Sequence, residues 1–164
     1  MNCPHCGKEI KEDLKFCPYC GYPLKEDDVE YFIRLARELR AKGKVKDAIV
    51  YCEKAISIKE DPFLRKNLGD AYYLMGILNK AIFHLKRAIE LNPSFPDAHY
   101  SLAVAYFQAG MLQEAIKEFE KTLEINPQFS MVYYWLGHAY YHIGELPKSV
   151  ENFSKLLEKT PIPP

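Results

Sequence analysis

Residues 96–129 read PDAHYSLAVAYFQAGMLQEAIKEFEKTLEINPQF, and the fold follows from how this stretch is built. Apolar residues recur at three- and four-residue intervals, at Leu102, Tyr106, Ala115, Phe119 and Leu123, the period of amphipathic helices. Gly110 divides the pattern, so one helix is expected over Asp97–Gln108 and a second over Leu112–Ile125. Asn126-Pro127 ends the second, because the residue before a proline is pushed out of helical geometry.

The stretch belongs to a beat that runs four times. Gly43, Gly76, Gly110 and Gly144 are spaced by 33, 34 and 34 residues. Ala36, Gly69, Ala103 and Gly137 precede them at the same spacings, and Ala48, Ala81, Ala115 and Ser149 follow. Such a period marks a solenoid of units that cannot fold singly. The units are expected at about 29–61, 62–95, 96–129 and 130–163. Asn92-Pro93 and Thr160-Pro161 close two further second helices, and Pro147 sits where the last one starts, a place that needs no N–H. The small residues let paired helices approach closely, and Tyr72, Tyr106 and Tyr140 are expected to fill the space between units. Cys52 holds the core place taken elsewhere by Leu85, Phe119 and Phe153, and is expected to be buried. Ile58, Leu91 and Ile125 are expected to touch the following unit. Lys159 holds that place in the last unit, and Val150, Phe153 and Leu157 are expected to be only partly covered there.

Leu102-Ala103, Tyr106, Gly110, Ala115, Phe119 and Pro127 resemble the signature of the tetratricopeptide repeat (TPR). Leu68-Gly69, Tyr72, Gly76, Ala81, Ala88 and Pro93 match it again, as do Leu136-Gly137, Tyr140, Gly144, Phe153 and Pro161. The first unit, with Leu35-Ala36, Gly43, Ala48 and Ala55, is looser and carries Glu60 in place of the proline. The resemblance implies a mainly α fold, an α-solenoid of four helix-turn-helix units whose first helices line a concave peptide-binding surface. Mapped by periodicity, that surface takes Arg37 and Arg40 from unit one, and Lys66, Asp70 and Tyr73 from unit two. Tyr100 and Phe107 follow from unit three, and Tyr134, His138 and Tyr141 from unit four. Tyrosine suits a peptide site through large contact area and a hydroxyl for hydrogen bonding. Some TPR proteins grip a terminal carboxylate with a lysine, arginine and asparagine clamp. Here Asp97, Ser101, Met131 and Trp135 occupy clamp places, so that mode is not expected.

Ahead of the repeats stands a different module. Cys3-Pro4-His5-Cys6-Gly7 and Cys17-Pro18-Tyr19-Cys20-Gly21 are two CxxC pairs ten residues apart. Cys3, Cys6, Cys17 and Cys20 can supply four thiolates to one tetrahedral Zn2+, leaving no open position for catalysis. Only Ile10, Leu14 and Phe16 offer apolar content between the pairs, so the metal is expected to act as a structural staple. The segment resembles a short zinc ribbon. It is assigned to residues 1–22, with a linker at 23–28 and the repeat array over 29–164. Asp27 or Asp28 is expected to cap the first helix.

Composition bounds the function. Apolar residues make up 48% and the formal net charge is +0, so global attraction to nucleic acid or anionic membrane is not expected. Residues 1–28 carry four lysines against six Asp or Glu, which disfavours phosphate binding by the ribbon. The basic run Arg34, Arg37, Arg40, Lys42, Lys44 and Lys46 is balanced by Glu38 and Asp47 and reads as a solvated helix and turn. There is no membrane-length apolar run and no signal-peptide pattern, and reduced cysteines fit a cytoplasmic location. His138 and His142 are four apart, but Ala139-Tyr140-Tyr141 separates them and no HExxH, Ser/His/Asp set or phosphate loop is present. The expectation is a non-enzymatic adaptor for a protein or peptide, a monomer or weak homo-oligomer. The alternatives are a nucleic-acid-associated zinc-ribbon protein and a scaffold that self-assembles through the open C-terminal end of the array.

Overall fold

A computed structural model of the chain describes every residue except Pro4, Asp13, Pro23, residues 25–28 and residues 161–164. The expected cap at Asp27 or Asp28, Pro161 and all of the expected linker but Leu24 therefore lie outside the described residues. Among the described residues eight helices follow one another: α1 (Val29–Ala41), α2 (Val45–Ile58), α3 (Pro62–Leu74), α4 (Leu78–Leu91), α5 (Pro96–Gln108), α6 (Leu112–Ile125), α7 (Met131–His142) and α8 (Leu146–Lys159). Among the described residues no strand forms, and Asn2 and Glu9 make an isolated antiparallel bridge. The fold is the expected α-helical repeat array with a cysteine cluster ahead of it.

The turn glycines do what their spacing implies. Gly76 and Gly110 adopt φ of 73° and 76°, a region costly for residues with a Cβ. In each turn two amides fold back on the helix just ended: Gly76 N–H donates to Tyr73 O (2.9 Å) and Ile77 N–H to Tyr72 O (3.0 Å). This pair of bonds satisfies carbonyls the helix would otherwise leave unpaired. At the other end of α3, the Asp61 carboxylate accepts from the amides of Phe63 (2.8 Å) and Leu64 (3.1 Å), and Pro62 takes the first helical position.

The chain forms two compact units, Met1–Glu60 and Asp61–Pro164. In the second, α3 pairs with α4, α5 with α6 and α7 with α8. The first helices also contact one another, α3 with α5 and α5 with α7, while α4 and α6 pack on the first helix of the next pair. The layer of α3, α5 and α7 is therefore the inner one. The core runs through Leu85, Leu102, Ala103, Ala115, Phe119, Val132 and Leu136, all fully or almost fully buried. Close approach depends on the small residues. A Cβ built on Gly69 would lie 2.6 Å from Leu85 Cγ, and one on Gly137 would lie 2.6 Å from the Phe153 ring. Ser149, in the place of an alanine, is buried and donates its hydroxyl to Gly137 O at 2.8 Å.

Two expectations need correction. Leu91 is exposed and Ile125 only half-buried, and Ile58 is exposed as well. Burial falls three residues earlier, at Ala55, Ala88 and Thr122, each 0% exposed. Ala88 packs with Phe95 and Ala98, so the helix crossing is close enough for alanine and turns the longer residue outward. Tyr72, Tyr106 and Tyr140 are buried as expected, but not all lie between units. Tyr72 stacks on His84 of its own pair (5.4 Å), whereas Tyr140 reaches back to donate to Glu120 Oε1 at 2.8 Å. Burial, then the bond to Glu120, pushes the Tyr140 hydroxyl up to about 12.

His99 is a structural residue that periodicity did not reveal. It is buried, with Nδ1 2.6 Å from Glu118 Oε2 and Nε2 2.8 Å from Pro93 O. Both ring nitrogens therefore have an oxygen partner. The ring ties the turn after α4 to α5 and α6. In the first unit, Phe32, Ala36, Ala48, Cys52 and Ala55 form the buried face of α1 and α2. Burial pushes the Cys52 thiol up to about 11, as befits an inert core residue.

Two predictions follow from this packing, both read from urea unfolding. Gly69→Ala destabilises the protein by about 1–3 kcal/mol less about 1 kcal/mol of improved helix propensity, because Leu85 is enclosed. Gly137→Ala costs less, since half-buried Phe153 on the last helix can swing aside; equal losses would refute this account. His99→Ala costs about 1–3 kcal/mol by removing a buried side chain and both of its hydrogen bonds. Glu118→Gln costs less because it keeps an acceptor, and the reverse order would show the histidine bonds to be unimportant.

Candidate functional site

Two features could bind. The first is built by paired turns in the N-terminal module. Gly7 N–H donates to Cys3 O (2.9 Å) and Gly21 N–H to Cys17 O (2.8 Å), each closing a CxxC turn. Both glycines take positive φ, 71° and 70°. The turns bring Cys3, Cys6, Cys17 and Cys20 together, with ligand atoms all within 4.8 Å of one another. Cys3 Sγ lies 3.6 Å from Cys20 Sγ, and Cys6 Sγ lies 3.7 Å from Cys17 Sγ. These separations are too long for a disulfide and all five cysteines are free. They match the edge of a tetrahedron of sulfurs around zinc, about 3.8 Å for Zn–S bonds of about 2.3 Å. The arrangement can hold a metal ion.

The electrostatics suit a bound cation. Burial raises the Cys3 thiol, but hydrogen bonds from the backbone of Cys6 and His5 and from Cys20 and Cys6 outweigh it and bring it to about 7. At Cys20 a backbone bond from Tyr22 lowers the thiol, while burial and the thiols of Cys17, Cys6 and Cys3 push it up to about 12. One thiolate forms readily and the last is resisted by its neighbours, a conflict a divalent cation resolves. Beyond these cysteines the buried content of the module is Ile10, with Leu14, Tyr22 and Leu24 packed against it.

The second feature is the inner layer. Of the ten residues mapped by periodicity, Arg37 and Arg40 stand on α1 in the first unit, and the other eight are in the second. Lys66 and Asp70 are bonded to each other at 2.6 Å, so their charges offset within α3. Tyr73, Tyr100 and Phe107 are half-buried against the core. Tyr100 stacks on Phe129 at 4.8 Å, and its oxygen accepts from Trp135 Nε1 at 2.9 Å. Phe107 meets Trp135 edge to face at 5.3 Å and His142 at 5.8 Å. His138 lies between Tyr134 (4.5 Å) and Phe153 (5.2 Å). Tyr134 and Tyr141 are 39% and 60% exposed.

The mapped residues thus divide by role. Tyr100 and Phe107 join Trp135 and Phe129 in an aromatic floor that holds α5 and α7 together. Tyr134 and Tyr141 are the exposed tyrosines of the mapped set. Trp135 is central to the floor and was missed as a contact residue, because its place in the repeat belongs to the clamp and not to the inward-facing register. The only tryptophan in the chain was the available signal. Among the described residues, the four cysteines are the one group of three or more metal-ligating side chains, and His138 and His142 make aromatic contacts instead. No helix among those residues is long and apolar enough to cross a membrane.

Comparison with known proteins agrees with this architecture. Tetratricopeptide repeat models match residues 29–62, 69–110, 96–129 and 118–151. A domain of unknown function (DUF7575) matches residues 1–25. The comparison with curated proteins gives no match. Among solved structures, one of MamA is 32% identical with a TM-score of 0.79, covering 82% of this chain and 79% of that one. A second MamA structure is 33% identical with a TM-score of 0.77, covering 81% and 73%. YrrB, described as a TPR protein with an unusual peptide-binding site, shares the fold at 20% identity and a TM-score of 0.60, over 84% of this chain and 89% of that one. With the repeat matched along most of its length and two relatives above 30% identity, this chain belongs to the tetratricopeptide repeat family.

Proposed function

We propose that this chain is a non-enzymatic, cytoplasmic adaptor that holds a peptide segment of a protein partner on the inner layer of α3, α5 and α7. The supporting observation is the separation of roles among its aromatic residues. Tyr100, Phe107 and Trp135 are committed to one another, so the floor needs no ligand to hold its shape. Tyr134 and Tyr141 remain accessible above it. A rigid platform with accessible tyrosines binds at low entropic cost, since little has to be ordered on contact. The paired Lys66 and Asp70 leave little net charge there, which favours an apolar or aromatic segment over a strongly charged one. The sulfur geometry supports one structural Zn2+ on Cys3, Cys6, Cys17 and Cys20, with the ribbon as scaffold or second contact.

Tyr134→Ala/Tyr141→Ala tests the inner layer without touching its floor. Affinity purification from the native host with this variant should recover at least about tenfold less of the partner than the unaltered chain, as expected for anchor residues. Circular dichroism should be unchanged. Equal recovery would place the partner elsewhere. Tyr100→Ala is a poor probe, because it also removes the acceptor of Trp135.

For the metal, elemental analysis of freshly purified protein should give one zinc per chain, and Cys6→Ser should lower its retention sharply. Metal-free protein with four titratable thiols in the ribbon would overturn the assignment.

A further inference from the structure

Among the described residues no helix precedes the first hairpin of the array, and its leading helix shows what packs there instead. Tyr31 on α1 is in repeat register with Ala98 on α5 and Val132 on α7. Both of those are fully buried, and Ala98 packs with Ala88 of the preceding helix α4. At Tyr31 the contact comes from the ribbon: Phe16 at 6.4 Å and Tyr22 at 6.0 Å. Tyr22 in turn stacks on His5, inside the first CxxC turn, at 5.2 Å and 8°. Tyr31 continues to Phe32 (5.8 Å), and Phe32 to Tyr51 of α2 (6.0 Å). A run of rings therefore joins the cysteine centre to the core of the first hairpin.

We propose that the ribbon is a metal-dependent cap on the first hairpin, so that zinc occupancy at the four cysteines controls how stably α1 and α2 are folded. This rests on the reading that those cysteines hold zinc. The physical reasons lie on both sides of the contact. Two of the three buried core residues of the ribbon are the ligands Cys3 and Cys17, so without metal the module has almost no core to hold Phe16 and Tyr22 in place. On the other side, α1 and α2 are helices of 13 and 14 residues, near the length at which isolated helices are marginal. A terminal repeat depends on its cap for stability. The coupling is reciprocal: whatever the metal contributes to the hairpin, the docked hairpin returns to metal affinity.

The test uses the full chain with its zinc content measured first. Stripping the zinc with a chelator should speed amide hydrogen exchange in residues 29–58 by at least about tenfold, with residues 96–142 unchanged. In the reciprocal arm, zinc-loaded Tyr31→Ala should lose metal to a chromogenic chelator at least about threefold faster than the unaltered chain. Phe83→Ala, an exposed site on α4, serves as the control and should match the unaltered chain. Protein confirmed zinc-free in which residues 29–58 keep their protection would overturn the cap and leave the metal site standing. Loss of protection along all eight helices would also overturn it, since the effect would not be local. A chain that never takes up zinc would overturn both readings.

Discussion

The closeness of the two backbones within each helical pair is the constraint on which the rest depends. At Gly69 and Gly137 there is no room for a single carbon: Leu85 and the Phe153 ring occupy the space a Cβ would need. This contact sets how deeply the second helix seats against the first. That depth decides which residues of the first helix point toward the next pair and which toward the inner layer. Small residues at one place in the repeat thus determine the orientation of side chains they never touch.

Polar groups caught by this close packing are satisfied locally. Among the described residues no buried side-chain nitrogen or oxygen lacks a hydrogen-bond partner. Ser149 returns its proton to the backbone of Gly137, and Thr122 does the same to Glu118 O at 2.8 Å. His99 is different in kind, because it joins three segments. Burying an imidazole between a carboxylate and a carbonyl is costly unless both bonds are made, so the residue acts as a geometric lock on the crossing of α5 over the end of α4.

The inner layer and the cysteine centre obey the same logic of division. In the layer, some aromatic residues hold shape and others stay accessible. In the centre, Cys3 and Cys17 are buried while Cys20 is exposed, so the cluster has an enclosed side and an open one. The docking of Tyr22 and Phe16 on Tyr31 links the module to the first hairpin through aromatic rings. On α8, Val150 and Leu157 are 64% and 59% exposed, the partial cover expected of them.

By itself the sequence determined the helices, their ends and the cysteine cluster. Each is written in short-range chemistry: a 3.6-residue period, a glycine with positive φ, a proline that stops a helix, a CxxC turn. The sequence did not reveal the floor built by Trp135 and Tyr100, the lock at His99, or the replacement of Leu91 and Ile125 by Ala88 and Thr122 at the helix crossings. Nor did it show the ribbon seated on Tyr31. Those depend on how separate segments approach one another, as in the bond between Tyr100 and Trp135, 35 residues apart. Periodicity says which face a side chain is on; only the approach of a second helix decides whether that face is covered, and by what.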